Sequence, residues 1–222
     1  VIHGNAEEAY WAGKIAKKNK STYFFTSHTP NIPITGMLKG MMRPIRLLKS
    51  LNTYLLRQAI READQVVAFS HFSRDLIMKG INNTCANKIQ VISPGVESSW
   101  FEVERKPSSG SALLFWGRIE EEKGLRELFH ALKTVSKKIK DVSLTIVGEG
   151  NRLREYKSLV ADLSLTDRVE FTGWLCSTKI QNLTARSSLG IFPSRVESFG
   201  LSVVEAMGAG LPVIAASGGA VP

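Results

Sequence analysis

Short apolar runs recur along this chain, most of them followed by a stretch with helical spacing, and that alternation restricts the fold more than any other feature. The runs lie at 22–26, 65–69, 88–92, 111–116, 143–147, 169–172, 189–192 and 212–215. Helical patterns occupy 6–18, 47–63, 73–78, 124–138, 153–163 and 201–208. Leu113-Leu114-Phe115-Trp116 and Leu144-Thr145-Ile146-Val147 read as continuous apolar segments, as strands covered on both faces do. Strands alternating with helices imply parallel sheets with helices on both sides. The expected class is therefore α/β, and 222 residues allow one large or two small domains. The weakest link lies near 94–110: it contains Pro94-Gly95 and then the polar stretch 102–110, rich in Pro, Ser and Gly, which reads as a linker. We expect a partial first domain with the start of the linker over 1–106, and a second domain over 107–222.

Apolar residues make up 43% of the chain and charged residues 22%, as in ordinary soluble domains. No run approaches the roughly 18–20 apolar residues of a membrane span. The start, Val1-Ile2-His3-Gly4, carries no basic region ahead of an apolar one and is not read as a signal peptide. It reads as the interior of a strand, and the end reads as the inside of a turn, so a fragment missing structure at both ends is expected. Cys85 and Cys176 are far apart and are expected to be free cytosolic thiols.

The net charge is +9, and residues 1–106 carry most of it, with 15 Lys/Arg against 8 Asp/Glu. Such a surface suits an anionic partner: nucleic acid, phosphorylated substrate or membrane. Within 36–61, apolar residues such as Met37, Met41, Leu48 and Leu55 alternate with Lys39, Arg43, Arg46, Lys49, Arg57 and Arg61, and no acid occurs. This is the pattern of an interfacial helix on an anionic membrane, and equally of a core-packed helix with a solvated basic face. Pro44 marks a break or a start in it.

Three segments carry candidate chemistry. Glu197-Ser198-Phe199-Gly200-Leu201 leads into a helix that contains Glu205, directly after the apolar run 189–192. Strand, turn and helix N-terminus is a geometry that holds phosphate, with the N–H groups of Phe199, Gly200 and Leu201 pointing at an anion. Eight helical residues span about 12 Å, so Glu197 and Glu205 could hold the two ends of an elongated ligand. Taken alone, the pair reads first as an acidic helix start with an exposed Glu further on. Arg118 and Lys123 lie between the run ending at Trp116 and the next helix, where doubly wound sheets bind ligands. The plainer reading pairs both cations with the acidic run Glu120-Glu121-Glu122. Val147-Gly148-Glu149-Gly150 has two glycines of a dinucleotide fingerprint but Leu153 in place of the third, and a tight turn explains it as well.

These segments, with 63–70, 91–96, 168–173 and 193–214, stand in the order seen in family 4 glycosyltransferases, which residues 64–222 resemble. The resemblance implies the GT-B fold, two Rossmann-like doubly wound parallel-sheet domains facing a cleft, and a retaining, hexosyltransferase-type enzyme. It implies a nucleotide diphosphate sugar donor, a lipid or glycan acceptor, and a role in making cell-envelope glycan or glycolipid. By resemblance Arg118 and Lys123 neutralise the diphosphate, Glu205 holds the ribose and Glu197 the transferred sugar, while Gly148, Phe199, Gly200 and Leu201 line the donor site. Neither a cofactor nor a metal is implied, and nucleic acid is set aside as a partner. His28, in Thr26-Ser27-His28-Thr29-Pro30, resembles the acceptor-side histidine, and His3 a second one. The expected location is the cytoplasm, with the inner membrane face as a peripheral alternative. A nucleotide-sugar 2-epimerase or a non-catalytic sugar-nucleotide-binding module would share the architecture. The Glu197–Glu205 block argues against the first, and the intact set Arg118, Lys123, Glu197 and Glu205 against the second.

Overall fold

The computed structural model describes residues 1–5, 9–27, 43–81, 84, 86–106 and 110–221, with the side chains among them except those of 5, 43–50 and 52. The chain divides into two compact units, Val1–Pro94 and Gly95–Pro222.

In the first unit, β1 (Ile2–Asn5), α1 (Ala9–Lys18), β2 (Tyr23–Ser27), α2 (Arg43–Glu62), β3 (Gln65–Ala68), α3 (His71–Gly80) and β4 (Ile89–Val91) follow in turn. The strands pair in the order β1-β2-β3-β4, all parallel. The core joins Tyr23 and Phe25 to Val66 and Ala68 of β3, and covers them with Ala9, Ala16, Ala59, Ile60 and Ile77 from the helices. The inner face of α1 is all small residues (Ala9, Gly13, Ala16) at helical spacing, so the helix lies close to the sheet. Pro44 falls in the first turn of α2, where a missing N–H costs nothing, so the sequence signal there is a helix start. Residues 37–42 of the basic segment lie outside the described residues.

The second unit contains β5 (Ala112–Trp116), α4 (Leu125–Lys138), β6 (Ser143–Val147), α5 (Leu153–Asp162), β7 (Val169–Gly173), α6 (Ser177–Arg186), β8 (Leu189–Phe192), α7 (Leu201–Gly208) and β9 (Val213–Ala215). Its sheet is parallel throughout, in the order β7-β6-β5-β8-β9. The uninterrupted apolar run β5 takes an interior place, flanked by β6 and β8, as a strand buried on both faces must. Helix α4 buries Leu125, Leu128, Phe129 and Leu132, one stripe at the helical period, and ends on Lys137 and Lys138, which suit the negative end of its dipole. Phe129 meets Tyr156 of α5 edge-on at 5.7 Å and Phe171 of β7 at 6.1 Å. Helix α6 was not anticipated. Its sequence is largely polar and only Thr184 is fully buried, so it carries no strong apolar stripe to read.

The stretch 95–106, expected to close the first domain and open the linker, belongs to the second unit. Trp100, in a 3-10 turn over Ser98–Trp100, is buried in that core and stacks on Trp116 with centroids 5.7 Å apart and planes within 5°. The Arg105 guanidinium donates to Ser187 O at 2.6 Å and Gly210 O at 3.1 Å. The polar character that suggested a linker is thus the surface of a segment pinned by one aromatic anchor and one cation.

Trp100→Ala should destabilise the second unit by about 3–5 kcal/mol, the scale for deleting a buried large aromatic. Chemical denaturation of the whole chain measures it. A loss below about 1 kcal/mol would mean that 95–106 behaves as a linker.

Candidate active site

The second sheet reverses its direction of growth at β5. The chain moves outward through β6 and β7, then returns to place β8 and β9 on the other side. The carboxyl ends of β5 and β8 therefore open at a topological switch point, the place where doubly wound sheets bind ligands. Leaving β5 are Gly117, Arg118 and a 3-10 turn over Glu121–Lys123. Leaving β8 is the segment 193–200, which leads into α7.

Backbone contacts hold these two segments together. Arg195 N–H donates to Glu122 O at 2.8 Å, which ties the β8 loop to the turn carrying Lys123. Ala220 N–H donates to Glu197 O at 3.0 Å. Gly219 lies so close behind that a Cβ on it would stand 2.3 Å from Glu197 O and 2.4 Å from Glu197 N. On the other flank, a Cβ on Gly148 would stand 1.9 Å from Gly117 O at a φ of 135°, so only glycine fits that crossing. The Gly148 N–H goes to Gly173 O at 2.8 Å, which carries the β6–β7 pairing one residue past the end of β6.

The side chains then sort by exposure. Lys123 Nζ lies 2.6 Å from Glu197 Oε1, with the side chains only 14% and 20% exposed. Such a pair is screened far less than a surface one. Arg118 is 65% exposed and 3.4 Å from Glu122, a contact of little energetic weight. The acidic run thus takes Arg118, while Lys123 turns to Glu197. Glu121 pairs with Arg152, and Glu120 accepts from Asn151 N–H. Arg195 pairs with Glu127, and the hydrogen bond from the guanidinium holds that carboxyl below its ordinary value.

Glu197 precedes α7 and Glu205 lies inside it. The cap residue Gly200 is left-handed, and no side chain caps the helix. Gly200 O accepts the N–H groups of Val203 and Val204, so those of Leu201 and Ser202 precede the helix ladder. Half-buried Glu205 accepts the Trp116 indole N–H at 2.8 Å. Burial pushes its carboxyl above the ordinary value, the Trp116 hydrogen bond opposes this, and nearby Glu97 adds to it. Trp116 was read only as the end of a strand. A buried tryptophan needs an acceptor for its N–H, and that requirement is the one signal that could have linked it to Glu205.

His3 stands on β1 in the first unit, its Nε2 2.6 Å from Thr26 Oγ1. His28 and Cys85 lie outside the described residues, and Cys176 is an exposed free thiol. Among the described residues no three His, Cys, Asp or Glu side chains gather as a metal site. A shallow polar depression lined by Lys140, Asp141, Ser143, Asp167 and Arg168 lies at the amino ends of β6 and β7, away from the switch point.

The architecture superposes on the crystal structure of Anabaena Alr3699/HepE in complex with UDP-glucose, with a TM-score of 0.78 at 23% identity over 98% of this chain and 60% of that one. Two parallel-sheet α/β units of this kind, the second of them doubly wound, define a protein of the GT-B glycosyltransferase fold. The glycosyl transferases group 1 family matches residues 96–222, and glycosyltransferase family 4 matches residues 1–100. The chain belongs to the group 1 glycosyltransferases. It is 32% identical to glycogen synthase of Mycobacterium tuberculosis over 70% of this chain and 38% of that protein. It is 28% identical to alpha-monoglucosyldiacylglycerol synthase of Streptococcus pneumoniae over 90% of this chain and 47% of that protein. The chain thus spans less than half the length of either relative.

The raised Glu205 carboxyl gives a signed prediction. An acid whose folded pKa is raised contributes stability at pH below its unfolded value, and that contribution is lost as pH rises through the folded value. Glu205→Gln keeps an acceptor for Trp116 and removes the ionisation. Its melting temperature should gain on the wild type as pH rises from about 4 to about 7. A difference that stays constant over that range would contradict the assignment.

Proposed function

We propose that this chain is part of a retaining glycosyltransferase that moves a sugar from a nucleotide diphosphate donor to a lipid or glycan acceptor. One observation carries the reading: the switch point brings half-buried Lys123 and Glu197 together beside the first turn of α7. A cation and free helix N–H groups at one point suit a diphosphate, and a carboxylate beside them suits the sugar it carries. In this proposal Lys123, Arg118 and the α7 N-terminus at Phe199, Gly200 and Leu201 hold the diphosphate. They stabilise the charge that grows on it as the glycosidic bond breaks, the task a metal performs elsewhere. Glu205, with Oε2 taken by Trp116, offers Oε1 to the ribose. Glu197 faces the sugar, where its charge favours the positive anomeric centre. Gly148 is retained in the donor site by resemblance alone, as are His28 and His3 on the acceptor side. The HepE complex with UDP-glucose supports a nucleotide sugar as donor. The relatives named for glycogen and for a glucosyldiacylglycerol support glycan and lipid as acceptor classes.

The proposal includes peripheral attachment to an anionic membrane from the cytoplasmic side. Among the described residues no helix is long and apolar enough to cross a membrane. Trp11 and Ile15 are exposed on α1, one turn apart, interleaved with the exposed Lys14 and Lys18, and Leu51 and Tyr54 are exposed on α2. Exposed aromatic and aliphatic groups among lysines suit a lipid headgroup region.

A thermal-shift screen of the full-length protein against uridine and guanosine diphosphate sugars tests the donor class, since a ligand at 100 times its Kd adds about 2.7 kcal/mol. With the donor in hand, Lys123→Ala should lower kcat/KM about 100-fold and the solvated Arg118→Ala about tenfold, the range for lost charge-assisted contacts. Unchanged kinetics in both variants would remove the diphosphate site. Co-sedimentation with vesicles should require anionic lipid and weaken with salt, each nearby basic residue contributing about 1 kcal/mol. Equal binding to neutral vesicles, or none, would remove the interfacial reading and leave α2 as a core-packed helix.

A further inference from the structure

We infer that Glu197 sets the balance between sugar-loaded donor and spent nucleoside diphosphate by competing with the diphosphate for Lys123. The inference rests on the donor site proposed above. Lys123 Nζ sits 2.6 Å from Glu197 Oε1 with both side chains largely out of water. An arriving diphosphate brings a second anion to the same ammonium. The second cation, Arg118, is solvated and offers only a screened charge.

The backbone on both sides of the pair is held. Arg195 N–H on Glu122 O fixes the turn carrying Lys123. Ala220 N–H on Glu197 O, with Gly219 packed against the same peptide, fixes the other. Neither loop can carry its side chain away without losing these contacts. When a diphosphate takes Lys123, the Glu197 carboxylate therefore stays near the site and loses its cation. A partly buried charge without a partner is costly.

What happens next depends on what the diphosphate carries. A sugar on the terminal phosphate presents hydroxyl donors, which satisfy the carboxylate in place of the ammonium. A bare nucleoside diphosphate presents none. Its terminal phosphate also carries an extra negative charge, because the ester to the sugar is gone, and repels Glu197. One carboxylate thus favours the loaded donor. Once the sugar has moved to the acceptor, it returns to Lys123 and drives the nucleotide off. Glu197 is then a specificity-determining group for product release as well as a sugar contact.

Inorganic pyrophosphate isolates the competition, because it occupies the diphosphate subsite without base or sugar. Its affinity should be measured by calorimetry on the full-length protein, for wild type, Glu197→Gln, Lys123→Met and the double variant. Glu197→Gln should bind pyrophosphate about tenfold more tightly, the scale of one charge-assisted hydrogen bond. Lys123→Met should bind it more weakly, and the gain from Glu197→Gln should shrink in the double variant to what direct repulsion of the anion by the carboxylate accounts for, since competition needs the ammonium. Glu197→Asp keeps the charge but draws it back by one methylene, and should give a smaller gain. It serves as the readout if Glu197→Gln does not fold. A mere loosening of the site would weaken binding in all variants. Equal or weaker binding by Glu197→Gln, with Lys123→Met still weakened, overturns the competition and leaves the diphosphate site standing. No effect of Lys123→Met overturns the site itself. No binding by wild type or Glu197→Gln up to millimolar pyrophosphate overturns both.

Discussion

The indole of Trp116 stands where the core of the second unit ends and the candidate site begins. One face stacks on Trp100, its edge meets Phe192 at 4.8 Å, and its N–H holds Glu205. Each contact fixes a different part of the fold. Trp100 brings the segment from Gly95 into the second unit, Phe192 ties β5 to β8, and Glu205 sets the position of α7. Because the indole is rigid and buried, a shift of any one partner is felt by the others. The switch point between β5 and β8 therefore depends on one side chain that itself carries none of the proposed chemistry.

Around that anchor the charges are graded by depth. Arg118 is outermost, paired loosely with Glu122 in water. Lys123 and Glu197 are deeper and hold one another. Glu205 is half-buried, with a neutral donor as its partner and its carboxyl raised by burial. Desolvation strengthens an ion pair's attraction and raises the cost of separating it. The same depth that makes Lys123 effective toward a diphosphate makes Glu197 an effective competitor for it.

The outer ring is different in kind. Glu121, Arg152, Glu155 and Arg126 form a chain of exposed ion pairs from the Lys123 turn to the starts of α4 and α5. Single pairs of this type contribute little. They run parallel to the backbone contacts that hold Lys123 and Glu197, so the turn does not rely on them. Close backbone crossings, at Gly148 and at Gly219, set the geometry that the charges then use.

The sequence by itself determined the class of fold and the order of most of its elements. Burying a strand on both faces favours a continuous apolar run, and β5 shows it from Ala112 to Trp116. It also determined which ionisable groups stand at strand ends and at the start of α7, since these follow from local periodicity and turn chemistry. Helix α6 escaped because a polar helix held mainly by partial burial leaves no apolar stripe. The stretch 95–106 was misplaced because composition reports its polar majority and is blind to the burial of Trp100. Only the tertiary structure decided which charges face each other. Lys123 and Glu197 are 74 residues apart, Trp116 and Glu205 are 89 apart, and neither pairing leaves a trace in local spacing. The physical reason is the strand order. By returning to the other side of β5, the chain sets β8 beside it and brings two distant loops to one point. No local pattern encodes that return, because it is settled by which strand can bury its two faces beside β5.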